Sequence, residues 1–191
     1  MTNEQPPFDR ALGTLGALLA ERRLRYELYA IGGGALQLLG LIVRPTKDID
    51  VVGLVERDVI VPARPLPPAL RGAIADVATL LDISEGWMNP GPASLLDLGL
   101  LAGALQRSIR REWAGLALRL AAREDQICFK LYAAVDQGPD SKHFEDLVTL
   151  GPSRDELLVA ATWARTHDPS EGFRGQLLRA LRDLGVANAQ V

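Results

Sequence analysis

A chain of 191 residues, 48% hydrophobic and 24% charged, has the makeup of an ordinary globular protein, long enough for one core or one core with a helical appendage. A net charge of −3 excludes a global basic field for nucleic acid, so an RNA or DNA partner would need a local patch. No apolar run reaches membrane-spanning length, and the single cysteine, Cys128, excludes an internal disulfide; with no signal-like apolar core in Met1 to Arg10, a cytoplasmic protein with no membrane partner is expected.

Residues 1 to 7 are polar, end in Pro6-Pro7 and read as a loose arm. Phe8 to Arg23 sets Leu12, Leu15, Leu18 and Leu19 at helical spacing. Arg22, Arg23 and Arg25 follow, either as cations at the helix end or as contacts for substrate phosphates.

From Tyr29 to Gly53 the chain reads YAIGGGALQLLGLIVRPTKDIDVVG. An apolar strand, a glycine turn at Gly32 to Gly34 and a short helix starting at Ala35 are expected, and such a turn lets the backbone approach a ligand such as a phosphate. Asp48 and Asp50 sit two apart at the start of a strand, so both carboxylates project from one face. Like charges that close raise one another's pKa unless a cation intervenes, and all-oxygen ligation favours Mg²⁺ or Mn²⁺. The plainer alternative is a pair of aspartates capping a strand or turn. Arg44 and Lys47 supply cations nearby, and Thr46 a hydroxyl. A glycine cradle beside a carboxylate pair suits a nucleoside triphosphate.

Val51 to Val61 reads as a hairpin turning at Glu56-Arg57-Asp58, and Leu66 to Leu81 as a helix after a proline-rich connector. Trp87 to Pro92 is turn-rich, with Trp87 a core anchor or, functionally, a stacking platform for a base. Arg107, Arg110 and Arg111 fit one helical face, solvated or contacting an RNA backbone, and Leu116 to Ala121 fits a strand. Glu124 to Val135 reads as a helix whose Lys130 lies in an apolar segment and must snorkel out or meet an anion. A helix through Phe144 to Leu150 contains Asp146, with His143 just before it; neither histidine has zinc-ligand spacing to Cys128. Ser153-x-x-Glu156 is a capping box, and a last helix runs from about Gly172 to Leu184.

Gly32-Gly33 followed by Arg44-x-Thr46-x-Asp48-x-Asp50 resembles the first motif of the DNA polymerase beta-like nucleotidyltransferase superfamily. Phe129 to Ala134 and Lys142 to Leu147 are similar to the later motifs of small bacterial proteins related to abortive-infection nucleotidyltransferase toxins. The resemblance spans roughly Tyr29 to Leu150. It implies an α+β nucleotidyltransferase fold, a mixed sheet flanked by helices, in a domain at 1–150; the helix pair from Gly151 onward reads from its own residues as a C-terminal segment at 151–191 packed on that domain. The resemblance further implies transfer of a nucleoside monophosphate from NTP, with Mg²⁺ or Mn²⁺, to an RNA such as a tRNA 3′ end or to a protein hydroxyl, as in a toxin paired with a cognate antitoxin. Catalytic roles then fall to Asp48, Asp50, Lys130 and Asp146, and nucleotide binding to Gly32, Gly33, Arg44, Thr46 and Lys130. The metal would be held by Asp48 and Asp50. A third carboxylate, usual in the superfamily, has Asp97 as its best candidate by position, with Asp82 and Glu85 behind it. A non-catalytic binding or antitoxin-like module of the same fold is the alternative.

Overall fold

Leu12, Leu15 and Leu19 recur at helical spacing and are fully buried, which fixes the inner face of the first helix. The computed structural model describes residues 7–97 and 99–191. The elements in order are α1 (Pro7–Glu21), β1 (Tyr26–Ile31), α2 (Gly32–Leu38), β2 (Ile49–Glu56), β3 (Val59–Pro62), α3 (Pro68–Leu81) and β4 (Met88–Asn89). A 3-10 turn at Gly91–Leu96 precedes α4 (Ala104–Arg107), β5 (Ile109–Trp113) and β6 (Leu116–Leu120). Four helices complete the chain: α5 (Arg123–Gln137), α6 (Lys142–Leu150), α7 (Arg154–His167) and α8 (Glu171–Asp183). The expected arm over residues 1–7 lies outside the described residues except for Pro7, which opens α1.

The fold is mixed α+β. The chain divides into two compact units, 1–121 and 122–191. The boundary falls ahead of the 150/151 position expected from sequence, because α5 and α6 join α7 and α8 rather than the sheet unit.

In the first unit six strands form one mixed sheet in the order β3-β2-β1-β6-β5, with β4 pairing onto β2. Strand β1 runs antiparallel to β2 and parallel to β6. Alternate residues Leu28 and Ala30 of β1, Ile49 and Val51 of β2, and Leu116, Leu118 and Leu120 of β6 share one core with α1 and with Leu70, Ile74 and Val77 of α3. The alternation of a strand therefore sends Glu27, Tyr29, Asp50 and Arg119 to the other face. Hairpin β2–β3 turns through Arg57 and Asp58, both at positive φ, as the tightest hairpin turns require. Trp87 is the core anchor expected, its indole N–H donating to the Ile74 carbonyl at 3.2 Å.

Arg107, Arg110 and Arg111 do not share a helical face: α4 ends at Arg107, and Ile109 to Trp113 is a strand that hairpins onto β6 through Ala114 and Gly115. Pairing with the next strand across a two-residue turn overrides the local helical spacing. Arg110 and Arg111 consequently point to opposite faces of the sheet.

In the second unit the capping box forms as the sequence indicates, Ser153 Oγ accepting from Glu156 N–H and Glu156 Oε2 from Ser153 N–H. Arg123 of α5 meets the same Glu156 and donates to the Leu150 carbonyl at 2.8 Å, so one guanidinium joins the end of α6 to the start of α7. Edge-on rings join α5 to α7: Trp163 lies 5.4 Å from Phe129 and 6.1 Å from Tyr132.

Candidate functional site

The helix expected from Ala35 begins at Gly32, so the three glycines form its first turn, and each is crowded by a different member of the Arg44-to-Asp50 segment. Gly32 has φ +78, and a Cβ there would stand 2.5 Å from Asp50 Oδ2. A Cβ on Gly33 would meet Thr46 Oγ1 at 2.9 Å and an Arg44 guanidinium nitrogen at 3.2 Å, and one on Gly34 the Asp48 carbonyl at 2.5 Å. Separations under about 3 Å are sterically closed to a side chain, so the run is glycine because the following loop and strand lie against it. Motif residues separated by a helix in sequence are neighbours in space: Gly32, Gly33, Arg44, Thr46, Asp48 and Asp50 form one cluster.

Asp50 is the second residue of β2, opposite Ile31 on β1, and Asp48 lies just before the strand. Ile49 between them is fully buried in the core, so the two carboxylates flank it on the opposite, half-buried side. Asp48 makes no hydrogen bond or ion pair with its side chain among the described residues. Two half-buried carboxylates and a close backbone turn offer oxygen ligands to a hard divalent cation, whose remaining positions water or phosphate would fill. Asp97 does not join them. It is exposed at the end of the 3-10 turn, whose Leu96 lies against Gly53, three residues beyond Asp50 along β2. Among the described residues no group of three or more His, Cys, Asp or Glu side chains is arranged to hold a metal.

On the second unit Lys130 Nζ and Asp146 Oδ2 meet at 2.6 Å, with side chains 3% and 1% exposed. Lys130 neither snorkels nor reaches solvent; its anion is Asp146.

Two features escaped the sequence reading. Asn89 pairs with Asp50 in the parallel β2–β4 register, its amide oxygen accepting from Gly91 N–H at 2.9 Å. A two-residue strand in a stretch rich in proline and glycine carries no periodic signal. The face bearing Asp50 also holds a ladder of charge: Glu27 accepts from Arg119 Nε at 2.5 Å and Arg110 Nε at 3.0 Å, and Arg110 meets Glu112. Burial pushes the Glu27 carboxyl up, but the hydrogen bonds and charges of Arg119 and Arg110 outweigh it and hold the group below its ordinary 4.5. The alternation Arg110-x-Glu112 was the available signal.

Compared with known proteins, the chain matches no family model, no curated protein and no solved structure. No helix among the described residues is long and apolar enough to cross a membrane.

Proposed function

We propose that the protein is a nucleotidyltransferase-fold enzyme that moves a nucleoside monophosphate from an NTP to a hydroxyl of RNA, such as a tRNA 3′ end, or of a protein, releasing pyrophosphate. A toxin acting under a cognate antitoxin in the cytoplasm is the setting in which such a reaction fits. The observation that carries the reading is the closure of the Gly32–Gly34 turn on Asp50, Thr46, Arg44 and Asp48. In this reading the glycines let the Arg44-to-Asp50 segment close on the start of α2, where backbone N–H groups of Gly32 and Gly33 with Arg44 and Thr46 would donate to phosphate oxygens. Asp48 and Asp50 would hold Mg²⁺ or Mn²⁺, which when bound supplies charge neutralisation on the phosphoryl oxygens. The roles of Lys130 on the triphosphate and of Asp146 as its orienting group or as a base belong to the same proposal, and their mutual pairing makes them the part that needs separate testing.

Purified protein incubated with each labelled NTP, Mg²⁺ or Mn²⁺ and total RNA, beside an Asp48→Asn/Asp50→Asn variant, tests it. Label on RNA or on the protein, lost in the variant, is the expected result. NTP affinity unchanged in the variant by calorimetry would remove the site.

A second reading, a non-catalytic binding or antitoxin-like module, is favoured by the lack of a third acidic ligand among the described residues. Metal-dependent NTP binding with no label transferred would select it.

A further inference from the structure

Strand β5 is an edge of the sheet, and Ile109 to Glu112 are all exposed. Its backbone direction follows from β6. The Gly115 carbonyl accepts from Tyr26 N–H, and Ala121 N–H donates to the Ala30 carbonyl, so residues 115, 117, 119 and 121 face β1. Successive residues of an extended strand address opposite edges, which turns Leu116, Leu118 and Leu120 toward β5 and their register mates Trp113, Arg111 and Ile109. The N–H and C=O groups of Arg110 and Glu112 therefore point out of the sheet, unpaired among the described residues. Open edges of this kind template pairing with another strand.

The side chains select which strand. We propose that β5 pairs antiparallel with β5 of a second copy about a two-fold axis at Arg111, joining two sheets into one. In that register Arg110 faces Glu112 of the second copy, and Glu112 faces Arg110. The two outward residues of each strand then exchange both backbone hydrogen bonds with their opposites. The neighbouring registers of the same parity set Arg110 against Arg110 or Glu112 against Glu112, so charge alone discriminates against them. Arg110 is already held by Glu27 at 3.0 Å, which limits the side-chain freedom lost on pairing. Ile109 meets Trp113 on the opposite face. The one opposing contact is Arg111 against Arg111 on the axis. A two-fold normal to the sheet keeps like faces together, so both copies present Asp50 to the same side. Five residues per strand make a small interface, and the dimer is concentration-dependent.

Sedimentation velocity of the full chain across about 1–200 µM, a range that spans weak small-interface association, should show a monomer passing to a dimer. Glu112→Lys, at a side chain 61% exposed, should weaken the dimer by on the order of ten-fold through loss of two cross-strand ion pairs. Arg111→Thr should tighten it by removing the repulsion on the axis. In Arg111→Cys the two sulfurs would face each other on Cα atoms about 4.5 Å apart, a separation a disulfide spans. Mild oxidation should therefore link this variant into a dimer, against little background from Cys128, which is buried. Val43→Cys, at a residue 95% exposed, serves as the collisional control. A monomer at every concentration would overturn the proposal. So would a dimer indifferent to Glu112→Lys in which Arg111→Cys links no faster than Val43→Cys.

Discussion

In the sheet unit the carboxylates of Asp48 and Asp50 stay half-buried beside a glycine turn, whereas in the helical unit Lys130 and Asp146 are sealed from water and meet at 2.6 Å. Charges left partly in water keep most of their hydration. Charges taken fully inside have lost that hydration and depend on each other. The first arrangement suits binding; the second suits holding α5 against α6. A buried ion pair is weak as a source of net stability but severe when half of it is removed, and this asymmetry makes the contrast testable.

The largest expected effect is in the helical unit. Lys130→Met alone removes the ammonium that offsets the buried Asp146 charge and should cost about 3–5 kcal/mol in urea unfolding, whereas Lys130→Met with Asp146→Leu should recover most of it. A single variant within 1 kcal/mol of the parent, a roughly surface-level effect, would mean the pair is not closed. Nucleotide labelling retained in the stable double variant would assign the pair to structure and remove both residues from the proposed chemistry.

Next come the glycines. Gly32 and Gly40 both have positive φ, at +78 and +72, but only at Gly32 would a Cβ meet a neighbour, Asp50 Oδ2. Gly40→Ala should cost about 1 kcal/mol for the left-handed backbone alone. Gly32→Ala should cost about 2–3 kcal/mol, the excess measuring how tightly the turn and the strand end are packed. Equal losses would show that Asp50 moves away freely. Ser153→Ala should cost about 1 kcal/mol by unpairing the start of α7.

The smallest effect is on the acid side. Glu27 is depressed below 4.5 despite the opposing push of burial, by Arg119 and Arg110; Glu156 is depressed by the Ser153 N–H and by Arg123. A carboxyl whose folded pKa is lowered contributes stability above its unfolded value and loses it as pH falls through the folded one. Both units should therefore weaken as pH drops below about 4.5, and Glu27→Gln should flatten that loss for the sheet unit alone, read from unfolding midpoints against pH.

Local rules made much of the first unit readable. The strand ending at Ile31, the helix running to Leu38, the strand that starts at the Asp48-x-Asp50 pair, the capping box of α7 and the last helix each follow from patterns a few residues long; that the glycines belong to the helix rather than to a turn before it did not. Their meeting in space was expected from a glycine cradle one short helix ahead of the carboxylate pair, although nothing in the spacing of Gly33 and Thr46 states a distance. Strand pairing was opaque. Arg107, Arg110 and Arg111 recur at helical intervals, and only the hairpin with β6 makes Ile109 to Trp113 a strand. Met88–Asn89 is too short to show a period at all. Lys130 was recognised as needing an anion, yet which acid supplies it depends on how α5 and α6 pack, and the late aspartate was identified by resemblance rather than by spacing.

The parallel pairing of β1 with β6 also has a bearing on how the chain is made. Glu27 and Arg119, ion-paired across that pairing, lie 92 residues apart. At roughly 5–20 residues per second, β6 leaves the ribosome about 5–20 s after β1. Through that interval the buried strand Leu28 to Ile31 has β2 on one side and nothing on the other. The sheet therefore cannot close during synthesis of its first hundred residues, and a nascent chain stalled before Leu116 should present an unfinished apolar edge to whatever binds such edges in the cell.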